Sequence, residues 1–115
     1  MKPIVSSVVQ EAINSYQKQD VYIHLETTNG AYASHFGGGA YSVGAYIRNV
    51  LVQYEHGKIA GEGPYRVGLK LPIGWIYAEG INHYQIDEQN RLLLAGLDGD
   101  GKLAVSLQIS KTPFE

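Results

Sequence analysis

No cysteine occurs among the 115 residues, which excludes disulfides, thiolate zinc sites, iron–sulfur clusters and a cysteine nucleophile. Tryptophan and methionine occur once each, and proline four times. No apolar run approaches the ~20 residues that a membrane-crossing helix needs. The N-terminus lacks the basic segment, apolar run and small-residue cleavage site of an export signal, so a cytoplasmic protein is expected. Charge is scarce as well. Only 17% of the residues are charged and the net charge is −2, with the lysines and arginines scattered, so neither nucleic acid nor a membrane is expected as a partner. What is present is glycine, at 14 residues, and tyrosine, at 9, a composition that leans toward strands and tight turns.

A chain of this length makes one domain, here 1–115, large enough for a self-supporting core. Val5, Val8, Val9, Ala12, Ile13 and Tyr16 fall on one apolar stripe, which predicts an amphipathic helix over 4–18 that packs against a sheet. Pro3 suits its first turn, or a capping box of Ser7 with Gln10 starts it later. Lys18 complements its negative pole. From Val21 the period changes to two: Val21, Ile23 and Leu25 alternate with Tyr22, His24 and Glu26. Asn29-Gly30 signals a hairpin into 31–36. The three glycines at 37–39 are a connection, because no helix follows to receive a phosphate. Residues 41–54 read as a bent strand relaxed near Gly44, and His56-Gly57 turns it into 58–61. A strand near 81–86 meets a turn over 87–90, with Asn90 able to take the left-handed conformation. Residues 91–97 are apolar on both faces and read as an interior strand. Asp98-Gly99-Asp100-Gly101 is a hairpin turn into 103–110, where Leu103, Val105, Leu107 and Ile109 face the core. One helix followed by seven to eight strands over 21–110 predicts a mostly β fold, a small antiparallel distorted sandwich or barrel.

The stretch Gly61–Gly80 organises this pattern as a hairpin. Pro72 fits a type I turn, and Gly74 fits the left-handed position of a following bulge. That loop pairs Leu71 with Trp75, Leu69 with Tyr77, Val67 with Glu79, and Tyr65 with Ile81. Glu79 then lies on an apolar, aromatic face, where it must either meet an arginine or titrate high.

Few motifs carry chemistry. His24 and Glu26 project from one strand face and supply two metal ligands at most; the other histidines, His35, His56 and His83, form no ligand pattern with them. The Asp98 turn fails the calcium-loop pattern at Lys102 and Ile109. No serine sits in a nucleophile signature. The feature that stands out is a set of seven: Tyr22, His24, Glu26, Arg48, Arg66, Tyr77 and Glu79. Arginine and glutamate in partly buried positions read either as structural ion pairs or as a polar pocket walled by tyrosines.

The segments VYIHLETT (21–28), AYIRN (45–49), GPYRVGLK (63–70), GWIYAEG (74–80) and GKLAVSLQIS (101–110) resemble the YojF family, small bacillar proteins of unassigned function. The resemblance spans nearly the whole chain and implies a mostly β domain. It brings no catalytic residues. It also implies an association with a zinc-dependent deacetylase of a thiol-sugar (bacillithiol) pathway. The reading that follows is a non-enzymatic protein without cofactor or metal, which binds a small polar ligand through the seven residues or assists such a deacetylase. The alternatives are a metal-dependent enzyme using His24 and Glu26, and a subunit that serves protein contact.

Overall fold

The predicted apolar stripe forms α1 (Ser6–Tyr16) and buries Val9, Ile13 and Tyr16 completely or nearly so. It is shorter than 4–18 at both ends. In the computed structural model, which describes residues 1–28 and 43–115, Pro3 belongs to a two-residue strand, β1 (Lys2–Pro3). The capping box does not form, because the Gln10 side chain is committed elsewhere. Its Nε2 donates to the Gly57 carbonyl at 2.9 Å, and its Oε1 accepts the Ile59 N–H at 3.0 Å. Gln10 therefore ties the helix to a strand rather than closing the helix start. Lys18 lies past the C-terminus in the left-handed conformation (φ 63°), where its N–H donates to the Tyr54 carbonyl.

The strands are β2 (Val21–Thr28), β3 (Gly44–Val52), β4 (His56–Gly61), β5 (Tyr65–Lys70), β6 (Trp75–Ile81), β7 (His83–Ile86), β8 (Leu92–Leu97) and β9 (Leu103–Ser110). They form two antiparallel sheets. One has six strands in the order β1-β7-β8-β9-β2-β3, and the other has three in the order β4-β5-β6. The architecture is therefore a sandwich and not a closed barrel. The predicted hairpin at Asn29-Gly30, the strand over 31–36 and the glycine connection lie outside the described residues.

One core fills the space between the layers. Ile13, Ile23, Leu69, Ile81, Leu92, Leu94, Leu107 and Ile109 are essentially inaccessible, and each such side chain contributes roughly 1.5–3 kcal/mol. Helix and small sheet meet closely at Gly57, where a Cβ would stand 2.6 Å from Ile13 Cγ2 and 2.7 Å from Leu69 Cδ2. Tyr54 is fully buried, and its hydroxyl donates to the Ile13 carbonyl. Burial, and then the neighbouring Tyr16, push its ionisation well above the ordinary tyrosine range. As predicted, β8 is interior, flanked by β7 and β9. Asn90 takes the left-handed conformation at φ 60°. The Asp98 side chain accepts the N–H groups of Asp100 and Lys102, as a hairpin turn requires. On β9, an interior strand, Ser106 and Ser110 are buried as well.

The central hairpin departs from its predicted register. The Leu71 N–H donates to the Gly74 carbonyl, so the loop closes one residue earlier than expected. The observed pairs are Lys70 with Trp75, Leu69 with Ile76, Gly68 with Tyr77, Val67 with Ala78, and Arg66 with Glu79. A bulge between Tyr65 and Arg66 restores the predicted pairing of Tyr65 with Ile81. A one-residue slip moves side chains to the other face. Trp75, Tyr77 and Glu79 therefore point away from the core, which Ala78 and Ile81 enter instead.

Candidate functional site

The seven residues singled out in the sequence divide between the two sheets. Tyr22, His24, Glu26 and Arg48 lie on β2 and β3 of the large sheet, and Arg66, Tyr77 and Glu79 lie on β5 and β6 of the small one. They do not line a common pocket.

On the large sheet, the alternation of β2 puts His24 and Glu26 on the face opposite Ile23, and the pairing of His24 with Arg48 brings the guanidinium beside them. His24 is buried, at 6% exposure. Its Nε2 lies 3.1 Å from Glu26 Oε1, and Arg48 Nη1 lies 3.1 Å from its Nδ1. A guanidinium only donates, so Nδ1 accepts and the ring proton sits on Nε2, donated to Glu26. The C-terminal residues seal this nook. Phe114 is buried with its ring edge-on to His24, 6.2 Å between centroids, and both Arg48 and Arg91 lie over that ring. Asn49, at φ 59°, is the extra residue of a bulge in β3. Its side-chain amide donates to the Phe114 carbonyl, and its Oδ1 accepts the Phe114 N–H. Arg91 is anchored in turn by Asp87 at 2.6 Å. Partial desolvation raises the Asp87 pKa, but the backbone and side-chain hydrogen bonds from Arg91 outweigh it and hold the carboxyl below its usual range. Tyr22 shares the same face of β2, half-buried. Among the described residues no group of three or more His, Asp or Glu side chains could hold a metal ion.

The outer face of the small sheet is arranged differently. Its register makes a three-by-three array: His56, Lys70 and Trp75 in one row, Lys58, Gly68 and Tyr77 in the next, and Ala60, Arg66 and Glu79 in the last. The middle position is the glycine. Tyr77 leans across it so closely that a Cβ on Gly68 would stand 2.8 Å from the ring. Trp75 stacks on Tyr77 with centroids 5.4 Å apart and planes 13° from parallel, and His56 meets Trp75 edge-on. These two rings remain 46% and 54% exposed. Lys70 Nζ lies 5.3 Å from the Trp75 ring centre. Arg66 and Glu79 pair at 3.9 Å, both largely in water. Glu79 thus meets an arginine as expected, though on an open face and not in an apolar setting. Lys58 has no ion pair among the described residues. Apart from Lys70, these residues line an open concavity of about 500 Å³.

The sequence reading missed His56, Lys58, Gly68, Lys70 and Trp75 as members of a site. The signal was present in the alternation of Lys58 and Ala60, Arg66 and Lys70, and Trp75, Tyr77 and Glu79, but only the correct register aligns the three strands. A concave face with an aromatic ledge and a few polar groups at its rim is the candidate site.

The chain belongs to the family described as a protein of unknown function (DUF1806), whose model matches residues 3–114. It is 55% identical over 114 residues to the uncharacterized protein YojF of Bacillus subtilis (strain 168), an alignment that covers 99% of this chain and 98% of the relative. The crystal structure of Bacillus subtilis YojF superposes with a TM-score of 0.82 at 53% identity, covering 99% of this chain and 96% of that one.

Proposed function

We propose that this chain is a non-enzymatic cytoplasmic protein that binds a small polar ligand, or assists an enzyme that handles one, through the outer face of the small sheet. The observation that carries the reading is the stacked, half-exposed pair Trp75 and Tyr77 lining an open concavity. A protein that kept this face only for solubility has no use for two large apolar rings in water. Such rings stack on flat or apolar faces of ligands, and the surrounding cations and carboxylate supply polar contacts. A thiol-sugar or amino sugar fits that chemistry and agrees with the thiol-sugar association that the family resemblance implies.

Thermal shift against a panel of thiol-sugars and amino sugars tests the reading. A ligand at about a hundred times its Kd adds ~2.7 kcal/mol of stability, and Trp75→Ala should abolish that gain. No shift across the panel, together with capture of a zinc-dependent deacetylase by the apo protein, would replace ligand binding by the protein-contact alternative. Against the metal-enzyme alternative stands the state of His24, whose two ring nitrogens are both engaged, by Glu26 and Arg48.

A further inference from the structure

The arrangement of charge on this face goes a step beyond a generic polar ligand. Gly68 leaves the centre of the array without a side chain of its own, the Tyr77 ring leans across it, and three of its four nearest neighbours on the face are cations. Lys58 stands across from it on β4, and Arg66 and Lys70 stand two residues either way along β5; Tyr77 is the fourth. Lys70 turns its Nζ toward the Trp75 ring and the Leu71 carbonyl, so Lys58 and Arg66 are the cations that line the concavity. The concavity is lined by two cations, Lys58 and Arg66, against a single carboxylate, Glu79, in a protein whose net charge is −2. Cations gathered on one concave face of an otherwise acidic molecule concentrate anions there. Glu79 offsets only Arg66, at 3.9 Å, and Lys58 has no ion-pair partner among the described residues.

We infer that the ligand carries an anionic group as well as a ring, and that the anion is received between Lys58 and Arg66 while the ring rests on Trp75 and Tyr77. This deepens the small-ligand reading and rests on it. The chemistry is shared by nucleoside monophosphates and sugar phosphates, which differ in whether the ring is a flat base or a pyranose. Both suit an aromatic ledge.

Trp75 is the only tryptophan, so intrinsic fluorescence reports on this face directly. The probes are a nucleoside monophosphate with its uncharged nucleoside, glucosamine 6-phosphate with glucosamine, and inorganic phosphate. We expect at least one phosphorylated compound to change the signal saturably and to bind about tenfold or more tightly than its neutral partner, with an affinity that falls as salt rises. Whichever pair discriminates identifies the ring. Inorganic phosphate alone should bind more weakly than that compound. Lys58→Glu should abolish the preference for the charged member, and Lys58→Ala should reduce it. Equal binding of a charged compound and its neutral partner, or indifference to both Lys58 substitutions, overturns the anion inference and leaves the ring-binding reading standing. No saturable change with any of the ring compounds up to millimolar concentration overturns both.

Discussion

Around Phe114 and around Gly68 the chain gathers similar residues: a histidine, a glutamate, cationic side chains and aromatic rings. In the nook under Phe114 each of them has a partner within the protein. His24 uses both nitrogens, Arg48 bonds His24 and the Glu115 carbonyl, and Asn49 clasps the Phe114 backbone from both sides. On the face around Gly68 the same kinds of group stand in water: Arg66 and Glu79 are 60% and 74% exposed, and the aromatic pair is half exposed. Polar residues that are buried and satisfied hold structure together, whereas exposed rings and cations lining a concavity have interaction capacity left to offer. Type of residue does not separate the two regions. Partner count does, together with the burial of His24 and Phe114, although Arg48 itself is exposed.

If that contrast is right, substitutions in the nook change stability and substitutions on the open face change binding. Phe114→Ala should have the largest effect, about 3–5 kcal/mol in denaturant unfolding, because it removes a buried ring and uncovers His24. A loss below about 1 kcal/mol would show that the C-terminal residues do not seal the sheet. His24→Ala should cost about 1–3 kcal/mol, since the largely buried Glu26 loses its partner and Arg48 loses one of its two. Asp87→Asn should cost about 1 kcal/mol at neutral pH, and that difference carries a pH signature. The folded-state pKa of Asp87 is depressed, so the carboxylate's contribution is present above the ordinary carboxylate pKa of about 3.9 and is lost as pH falls through the lower folded value. Unfolding curves of wild type and variant should therefore converge on acidification. A constant gap down to the most acidic conditions would assign the loss to something other than the Asp87 charge. Lys58→Ala, on the open face, should alter stability by less than about 0.5 kcal/mol while weakening the anionic ligand. A clear destabilisation would place Lys58 on the structural side of the contrast.

The alkaline limb offers one further check, independent of both regions. Tyr54 ionises with difficulty in the folded protein because it is buried. Its folded pKa lies above the unfolded value of about 10, so its contribution is intact below pH ~10 and is lost as pH rises beyond it. Tyr54→Phe should flatten that loss.

Much of the fold could be read from local pattern. The apolar stripe of α1, the interior strand β8 and the left-handed Asn90 each follow from a residue type in a fixed local role. The hairpin register did not follow, for a specific reason. Pro72 followed by Gly74 suits a loop closed at Leu71 and Gly74 as well as one closed at Leu71 and Trp75, and Gly74 is left-handed as expected, at φ 91°. Local preference is met either way, and the choice falls to the core, which takes Leu69, Ile76 and Ala78 on one side. Strand order lay further out of reach. Nothing in the alternation of β2 or β5 says that they belong to different sheets, so residues with matching chemistry were grouped as one site. The His24, Glu26 and Arg48 grouping survives because one strand and its hydrogen-bonded neighbour place it. Arg66, Tyr77 and Glu79 belong to a second grouping whose missing members, Lys58 and Trp75, come from register alone.

Backbone amide chemical shifts recorded during titration with a bound sugar or nucleoside phosphate test the division most directly. The account predicts that the perturbed amides cluster within 56–60, 66–70 and 75–79, with those of His24, Glu26 and Arg48 unmoved. Shifts centred on His24, Glu26 and Arg48, with the Gly68 surroundings silent, would contradict it.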